Sequence, residues 1–314
     1  MSFKIGIIMD AIENIHVHKD TTFAIMLEAE RRNWQIFYMQ TKDIWLQDGL
    51  AWGEMSEISV RDETEDYYSI HEKYIQPLGE LDILFMRKDP PFDINYVYTT
   101  YLLEQAQAKG LLIVNNPQSL RDANEKLFTS WFPQCCPKTI VTSNKELILD
   151  FVHAEKEIVI KPLGAMGGQA IFRLQPNNPN LNVIIETTTQ NENILVMAQR
   201  FIPEIKEGDK RILMIDGEPV PYALARIPKT GDFRGNLAAG ATYQGRELTD
   251  RDLWICEQVG PTLKEKGLIF VGLDVIGDYL TEINVTSPTC ARELNRIFHL
   301  NICGDLLDAV ENKL

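Results

Sequence analysis

Short apolar segments alternate with segments of helical spacing over the N-terminal third of the chain, and this alternation most restricts the folds that the chain can adopt. FKIGIIMD, QIFYMQ, LDILFMRK and LLIVNN have the length and composition of buried strands, whereas TTFAIMLEAERRN and YVYTTYLLEQAQAKG have the apolar repeat of helices. Such alternation is typical of a parallel sheet covered by helices. We therefore predict an open α/β domain over residues 1–122.

The rest of the chain mixes strand pairs with helices, which favours an α+β arrangement. Two strands flank a glycine-rich turn in EIVIKPLGAMGGQAIFRL, which is typical of an antiparallel hairpin. ILVMAQRFI and KRILMIDGEPVPYALARI follow as strands, then a long polar loop, a helix over residues 250–267, and two more strands. We also predict helices in DANEKLFTSWF and in the terminal ICGDLLDAVENKL.

Composition narrows the class of protein. Of 314 residues, 45% are hydrophobic and 24% charged, which suits a globular protein of two or three domains. The net charge of −14 argues against general binding of nucleic acid or acidic membranes. No apolar run reaches the ~18–20 residues of a membrane span, the N-terminus lacks signal-peptide order, and the five cysteines form no C-x-x-C. We predict a cytoplasmic protein with free thiols and neither nucleic-acid nor membrane partners.

Three oxygen ligands are predicted to meet near the C-terminus. Glu282 and Asn284 are two residues apart in the strand of YLTEINVTSPTC, so they share one face of it. Asp274 lies in the preceding apolar run, IFVGLDVIGD. Carboxylate and amide oxygens are the ligands that Mg²⁺ prefers, so these residues predict a magnesium site.

A glycine-rich turn after Lys161 is a candidate phosphate-binding loop. Gly164, Gly167 and Gly168 bring backbone N–H groups close to an anion because glycine has no Cβ and tolerates positive φ. The alternative is a flexible hairpin turn, and no Lys-Ser/Thr follows to make a Walker A loop. Lys126, in NEKLFTSWF, is either a second phosphate ligand or a solvated lysine.

The segment after the next strand is a candidate nucleotide site. MAQRFI breaks at Pro203, which leaves backbone groups near residues 199–202 for an adenine ring. Asp209 follows in a turn and is either a ribose ligand or a plain turn residue, and Lys210 and Arg211 come next.

Arginines mark two further candidate anion sites. The long loop over residues 228–246, with Arg226 just before it and Arg234 within it, is either a lid over anions or a disordered insert. Arg87 ends a strand of the first domain, where open α/β sheets bind ligands. His16 and His18 form an H-x-H pair, but no further ligand cluster supports zinc.

Taken in order, these motifs resemble the ATP-grasp superfamily. Lys126, IVIKPLGAMGG, MAQRFIPEI and GDKR carry that resemblance, together with GLDVIGDYLTEINVTSPTC. MRKDPPFD, RGNLAAG, GPTLKEKGLIFVGLDVIGD and LTEINVTSPTC are similar to the bacterial glutathione synthetases in particular. The resemblance covers nearly the whole chain, and its last two motifs match over long contiguous runs.

The resemblance implies an ATP-grasp fold in three parts. These are an N-terminal substrate-binding domain with an open parallel sheet (1–122), a lid domain (123–200) and a C-terminal catalytic domain (201–314), with ATP held between the last two. It implies ATP contacts at Lys126, Lys161, Gly164, Gly167, Gly168, Gln199, Phe201, Ile202, Asp209 and Lys210; Mg²⁺ or Mn²⁺ at Asp274, Glu282 and Asn284; substrate contacts at Arg87, Ser287, Thr289 and Arg292; and catalytic roles for Arg211, Arg226 and Arg234.

The implied reaction joins γ-glutamylcysteine to glycine at the expense of ATP. The cysteinyl carboxylate attacks the γ-phosphorus to form an acyl phosphate, and the glycine amine then displaces phosphate. Because the substrates supply both nucleophiles, no Ser or Cys nucleophile is expected, and none stands out in the sequence. The family also suggests a homotetramer, with a homodimer as the alternative.

The sequence departs from the family's usual pattern at two places, and three alternative functions are weighed against the glutathione synthetase interpretation. Gly164-Ala165 replaces the family's usual Asp-Gly, and Ala241-Thr242 replaces Gly-Arg, which removes one potential anion contact from the lid. Another ATP-grasp ligase is disfavoured by NVTSPTC, and a regulator without turnover by the intact lysines and metal ligands. An NAD-dependent oxidoreductase is disfavoured because no G-x-G-x-x-G follows the first strand.

Overall fold

The described part of the chain folds around three β-sheets that follow one another along the sequence. The computed structural model describes residues 2–165, 167–235, 237 and 240–314. Met166 of the glycine-rich turn, and Asn236, Ala238 and Ala239 of the long loop, lie outside the described residues. The three sheets have seven, four and five strands. The predicted boundaries at residues 122 and 200 fall between the sheets and stay predictions.

The N-terminal sheet contains the predicted parallel core and an antiparallel extension that the sequence interpretation missed. β1 is parallel to both β2 and β6, and β6 to β7, whereas β4 is antiparallel to β2, β3 and β5. The elements are β1 (Lys4–Ile8), α1 (Thr21–Arg31), β2 (Gln35–Met39), β3 (Ile44–Gln47), β4 (Leu50–Val60), β5 (Tyr68–Pro77), β6 (Ile83–Met86), α2 (Ile94–Gln107), β7 (Leu112–Val114) and α3 (Pro117–Asp122).

The helix predicted over DANEKLFTSWF is present only as a short 3₁₀ helix, and Lys126 lies before it. Lys126 directly precedes a 3₁₀ helix, Leu127–Trp131. Asn124 Oδ1 accepts hydrogen bonds from the backbone N–H groups of Lys126 and Leu127, at 3.2 and 2.9 Å. Asparagine forms such local turns in competition with a helix, which explains the short element here.

The middle sheet is a small antiparallel unit with its own core. Its strands lie in the order β10-β9-β11-β8, and the pairing of β9 with β10 confirms the predicted hairpin. Its elements are β8 (Thr139–Thr142), α4 (Lys145–Glu155), β9 (Ile158–Pro162), β10 (Phe172–Leu174), α5 (Leu181–Thr188) and β11 (Val196–Arg200). The buried side chains of this unit form a cluster separate from the cores of the other two sheets.

The C-terminal sheet is antiparallel and shares its cores with the N-terminal sheet. Its strand order is β14-β13-β12-β15-β16. Ile212 and Leu273 lie in one core cluster with Ile8, while Leu213 and Leu224 lie in another with Ile5. The elements are β12 (Asp209–Ile215), β13 (Glu218–Ile227), β14 (Thr242–Glu247), α6 (Asp250–Glu265), β15 (Phe270–Ile276), β16 (Tyr279–Asn284), α7 (Ala291–Phe298) and α8 (Ile302–Glu311).

Part of the long loop forms a strand, which corrects the prediction of a structureless segment over residues 228–246. β14 pairs with β13 along its whole length. Gly245 permits this arrangement because a Cβ there would lie 2.5 Å from the ring of Phe298. The described loop between these two strands is therefore shorter than the sequence suggested.

The fold also bears on the expectations about cysteine pairing and membrane-spanning helices. All five cysteines are free. Among the residues that the structure describes, no helix combines the length and apolarity needed to cross a membrane.

Candidate active site

Three cavities meet beside the C-terminal sheet: the cleft, the junction and the N-terminal cavity. The cleft is a space of about 660 Å³ between the middle and C-terminal sheets, lined by Lys161, Gln199, Asp209 and others. The junction adjoins it and contains Arg211, Arg226, Asp274, Glu282 and Asn284. The N-terminal cavity, about 890 Å³, lies against the first domain and contains Asp20, Arg87 and Glu293.

Strand pairing sets the polar residues of the junction side by side. Asp274 in β15 lies opposite Arg211 in β12 on one side and opposite Glu282 in β16 on the other. Asp209 in β12 lies opposite Arg226 in β13. Cross-strand neighbours project from the same face of a sheet, so one face carries both arginines and the three carboxylates.

A buried ion-pair network joins these side chains. Arg211 Nε lies 2.5 Å from Asp274 Oδ1, and Arg226 Nη2 lies 2.9 Å from Asp274 Oδ2. Arg226 also pairs with Asp209 Oδ2. Burial alone raises the pKa of Asp274, but Arg211 and Arg226 outweigh burial and hold that pKa below its usual range. The network therefore fixes the two guanidinium groups at the centre of the junction before any ligand binds.

Asp209 keeps one oxygen without a partner. Its Oδ1 is buried and accepts no hydrogen bond from any described residue. Burial raises the pKa of Asp209 to about 7, although the positive charge of Arg226 opposes this shift. Because Asp209 also lines the cleft, a hydroxyl donor there would satisfy a polar atom that the protein leaves unsatisfied.

The predicted metal ligands come together in the junction. Glu282 lies directly across from Asp274, and Asn284 follows two residues later on β16. Asn284 Nδ2 donates to Gly272 O at 3.1 Å, which fixes the orientation of its amide oxygen. Two carboxylates and an amide oxygen fit a hard divalent cation. In the described chain no three His, Cys, Asp or Glu residues are grouped for metal binding, so such an ion would also need oxygens from its ligand.

Two buried lysines approach the same region from the other side. Lys126 Nζ donates to Ala165 O at 2.6 Å and lies 3.5 Å from Glu282 Oε1. Lys161 Nζ donates to Thr281 O at 3.2 Å, and burial lowers its pKa. Gly167 and Gly168 have φ of 64° and 78°, the left-handed conformation in which glycine is favoured. The turn thus places backbone and lysine N–H groups near the carboxylates.

The adenine segment has fewer open backbone groups than the sequence suggested. The N–H groups of Arg200 and Phe201 already donate to Lys138 O and Glu157 O, at 2.9 and 3.0 Å. Gln199 Nε2 donates to Thr139 Oγ1. Among the described residues the backbone N–H of Ile202 has no hydrogen-bond acceptor, so it is the available donor in this segment.

Two predicted residues lie away from the place expected for them. Lys210 projects from the opposite face of β12, where its Nζ pairs with buried Asp252, because neighbouring strand residues alternate between faces. Arg234 lines the cleft rather than the junction, and both its Nε and Nη2 bond to Asp232. The structure therefore separates both from the arginines at the centre of the junction.

Three of the four residues predicted to bind substrate line a cavity, and the fourth does not. Ser287 and Thr289 line the junction, and Arg87 lines the N-terminal cavity. Arg87 is buried and donates to Thr22 Oγ1 and Pro288 O, at 3.0 and 2.8 Å. Arg292 instead bonds to both oxygens of Asp62, at 2.7 and 2.9 Å, and lines neither cavity.

The sequence interpretation missed two carboxylates at these cavities, one buried and one half-buried. Glu293 lines the N-terminal cavity and its Oε2 has no described partner. Glu125 lines the junction and bonds to the turn after β16. Each acid lies next to a basic residue in the sequence, Glu125 beside Lys126 and Glu293 beside Arg292. The basic residues were predicted to bind ligands, and the acids were not.

Comparison with known proteins gives the family. The prokaryotic glutathione synthetase N-terminal domain matches residues 3–121, and the prokaryotic glutathione synthetase ATP-grasp domain matches residues 125–299. The chain belongs to the prokaryotic glutathione synthetase family. Glutathione synthetase of Coxiella burnetii is 59% identical over 313 residues, covering 100% of this chain and 98% of that protein. That of Pseudomonas syringae pv. tomato is 52% identical over 314 residues, covering 100% and 98%.

Solved structures support the fold at much lower identity. D-cycloserine synthetase DcsG superposes with a TM-score of 0.67 at 13% identity, covering 99% of each chain. The ATP-grasp ligase PsnB, bound to a minimal precursor, gives 0.65 at 16% identity, covering 99% of this chain and 98% of that one. The predicted ATP-grasp fold and the predicted family are confirmed. The chain is an ATP-dependent ligase that forms glutathione.

Proposed function

We propose that the chain joins γ-glutamylcysteine to glycine at the junction, with ATP in the cleft and the dipeptide in the N-terminal cavity. The observation that carries this proposal is the meeting of the cleft and the N-terminal cavity at one cluster of arginines and oxygen ligands. The cleft shares Asp274 and Glu282 with the junction, and the N-terminal cavity shares Asp89 and Thr289 with it.

The cleft suits a nucleotide from adenine to phosphates. The N–H of Ile202 is a free donor for the base, and the unpartnered Oδ1 of Asp209 accepts a ribose hydroxyl. Lys161 and Lys126 then lie toward the phosphates, with the N–H groups of the glycine turn. Lys210 is left out of this assignment because it lies on the other face of the strand.

Mg²⁺, or Mn²⁺ in its place, would be held by Glu282 and Asn284. Asp274 takes part less directly, because both of its oxygens already pair with arginines. Bound there, the cation neutralises phosphate charge and polarises the transferred phosphoryl group. Glu282 lies 3.5 Å from Lys126, so the cation that Glu282 would hold and the Lys126 ammonium can neutralise the same phosphate.

The N-terminal cavity offers both charges that an amino-acid group requires. Arg87 presents a buried guanidinium, and Glu293 presents a carboxylate oxygen without a hydrogen-bond partner among the described residues. A γ-glutamyl group carries an ammonium and a carboxylate at one carbon, which complements this pair. Ser287 and Thr289 then lie between that cavity and the junction, beside the path of the cysteinyl carboxylate.

At the junction the protein positions the reacting groups and stabilises their charge. Arg211 and Arg226 are held rigidly by Asp274 and Asp209, so they can stabilise negative charge on the acyl phosphate and on the tetrahedral intermediate without reorganising. Arg234 and the described part of the long loop cover the cleft, where they can exclude water from a hydrolysable intermediate.

The test of this proposal is ADP release from Mg²⁺–ATP with the two amino-acid substrates supplied singly and together. We expect release and glutathione formation only when both are present. ADP release with another carboxylate–amine pair, and none with this pair, would refute the assignment.

The proposal also covers the cellular location, the assembly and the partners of the protein. We place the protein in the cytoplasm because all five cysteines are free thiols, which suits a reducing compartment. A homotetramer, or a homodimer, is the proposed assembly, and light scattering of the purified protein would test it. Neither nucleic acid nor membrane is a proposed partner, in line with the net charge of −14.

A further inference from the structure

Asn115 is a buried polar residue that has no part in the proposed binding of substrates. It directly follows β7 of the N-terminal sheet and is 4% exposed. Its side chain reaches the C-terminal sheet, where Nδ2 donates to Phe270 O at 2.8 Å and to Val285 O at 2.7 Å, and Oδ1 accepts from Phe270 N at 2.9 Å. These backbone groups lie 155 and 170 positions away in the chain, so the contacts join two domains.

The amide of Asn115 takes the place of a strand neighbour of β15. The strand β16 ends at Asn284, opposite Gly272 of β15, and continued pairing would set Thr286 opposite Phe270. The Asn115 amide instead occupies that position, and it bonds to both the N–H and the C=O of Phe270 as a paired peptide group does. The backbone of β15 thus keeps its hydrogen bonds while the chain leaves the sheet after Asn284.

The segment that leaves the sheet, residues 285–289, runs from the end of β16 toward the N-terminal cavity, and we call it the crossing turn. Both backbone groups of Val285 are held by side chains: Asn115 Nδ2 donates to its O at 2.7 Å, and Glu125 Oε1 accepts from its N at 2.9 Å. Arg87 Nη2 donates to a further carbonyl of this turn at 2.8 Å. Three side chains that precede the C-terminal sheet in the chain therefore set the path of the crossing turn.

The crossing turn connects the two groups that react first in the proposed mechanism. Asn284, directly before it, supplies the amide oxygen of the proposed metal site. Ser287 and Thr289, within it, line the junction beside the path of the cysteinyl carboxylate. The distance between the metal-bound phosphate and that carboxylate therefore depends on the path of the turn. A displacement of about 1 Å can slow such a reaction about 10²-fold.

We infer that Asn115 is a positioning residue for phosphoryl transfer: it ends the pairing of β16 with β15 and holds Val285, and so sets the turn that aligns the dipeptide carboxylate with the γ-phosphate of ATP. Asn115 is not among the described residues that line the cleft, the junction or the N-terminal cavity, so it acts through the crossing turn. The inference rests on the proposed positions of ATP and γ-glutamylcysteine.

Asn115→Ala is the main test because it removes all three hydrogen bonds without adding a charge. We expect the single-turnover rate of ADP formation to fall about 10²-fold, with enzyme in excess over ATP and both amino-acid substrates saturating. Calorimetric titration gives the fraction of molecules that bind ATP, and the rate is expressed per binding molecule so that a loss of folded protein does not count. The Kd of ATP should stay within about threefold. A rate within about threefold of wild type would overturn the inference.

Asn116→Ala is the matched control at the next position. Asn116 Oδ1 caps α3 within the N-terminal domain by accepting from Ser119 N at 3.0 Å. The control should lose stability as a helix does without its cap, while its single-turnover rate per ATP-binding molecule stays within about threefold of wild type. A 10²-fold loss of rate in both variants would mean that loosening of the domain contact lowers the rate, and would overturn the positioning role of Asn115.

Asn115→Asp provides a second test should Asn115→Ala fold poorly. The carboxyl group has the shape of the amide and keeps an acceptor for Phe270 N, but it donates one hydrogen bond when protonated and none when ionised. We expect the single-turnover rate per ATP-binding molecule to fall about tenfold or more. A folded Asn115→Asp protein with the wild-type rate would overturn the inference.

Failure of the proposed function would look different from failure of this inference. If the proposed function is wrong, the wild-type protein forms no glutathione from the two amino-acid substrates. If only the inference is wrong, the wild-type protein forms glutathione and both Asn115 variants form it at the wild-type rate per ATP-binding molecule.

Discussion

The C-terminal and middle sheets, which enclose the cleft, differ in how they pack against the rest of the protein. The C-terminal sheet shares its cores with the N-terminal sheet and carries the buried network of Arg211, Arg226 and Asp274. The middle sheet packs around a small core of its own, and Lys161 reaches across to the C-terminal sheet through one hydrogen bond. A unit of that size with a separate core has low local stability.

This difference in packing suggests that the two sheets have different roles in the reaction. The charged groups that must be preorganised belong to the more firmly held sheet, where reorganisation would cost most during the reaction. We propose that the sheet that carries the glycine turn and Lys161 opens to admit ATP and release ADP. Variants in each of the two sheets test this interpretation.

Arg226→Ala should have the largest effect. It leaves Asp209 and Asp274 buried without one of their partners, which costs about 3–5 kcal/mol of stability, and it removes a charge from the reaction centre. We expect turnover to fall about 10²- to 10³-fold, with a much smaller change in ATP affinity. Urea unfolding, turnover and calorimetric ATP binding measure the three effects.

Arg226→Lys is the control, since it retains the charge but not the planar geometry that contacts both carboxylates. It should recover most of the stability and little of the turnover. Equal losses of turnover and ATP affinity in Arg226→Ala would make Arg226 a nucleotide ligand instead of a residue of the reaction centre.

Glu282→Gln should have the next largest effect, and only on the metal-dependent step. The amide keeps the shape of Glu282 but loses the negative charge opposite Asp274. We expect the Mg²⁺ concentration for half-maximal turnover to rise at least about tenfold. The measurement is turnover against Mg²⁺ at fixed ATP, and an unchanged rate at limiting Mg²⁺ would exclude Glu282 from the metal site.

The polar face tested by these variants was partly predictable from the sequence. Alternation along a strand places Glu282 and Asn284 on one face, and the structure has them so. The same rule excludes Lys210 from a face that holds Asp209 and Arg211, yet Lys210 was predicted to bind ATP. Its actual partner, Asp252, lies 42 positions further along the chain, and no local pattern indicates such a contact.

Other features depended on tertiary contacts that local patterns do not contain. β4 pairs with three different strands, so its place between β2 and the strands β3 and β5 follows from packing. Glu125 is joined to the junction by hydrogen bonds to the turn at Val285 and Thr286, 160 and 161 positions away in the chain, which no local pattern indicates. The approximate domain division and strand pairs, by contrast, follow from hydrophobic periodicity and turn residues.

Matched core truncations sharpen the comparison of the sheets. Ile148 is buried in the middle unit and Ile212 in the C-terminal sheet. Replacing either with Ala should cost about 2–5 kcal/mol. In Ile148→Ala we expect faster amide hydrogen exchange confined to residues 139–200, whereas in Ile212→Ala exchange should rise in both the N-terminal and C-terminal sheets. Global exchange in both variants would mean that the middle sheet does not open independently.

The smallest expected effect comes from removing two helix caps. One cap belongs to the middle unit, and the other belongs to the helix α6 beside the C-terminal sheet. Asn144 caps α4 by accepting from Leu147 N at 3.0 Å, and Thr249 caps α6 by accepting from Asp252 N at 3.2 Å. Replacing either with Ala should cost about 1 kcal/mol. Because α4 packs in the separate core, Asn144→Ala should raise hydrogen exchange locally and leave the main unfolding transition in place. Thr249→Ala should shift that transition, since α6 lies in the shared core. Equal shifts of the main transition would show that the middle unit unfolds together with the rest, and ATP entry would then need an opening elsewhere.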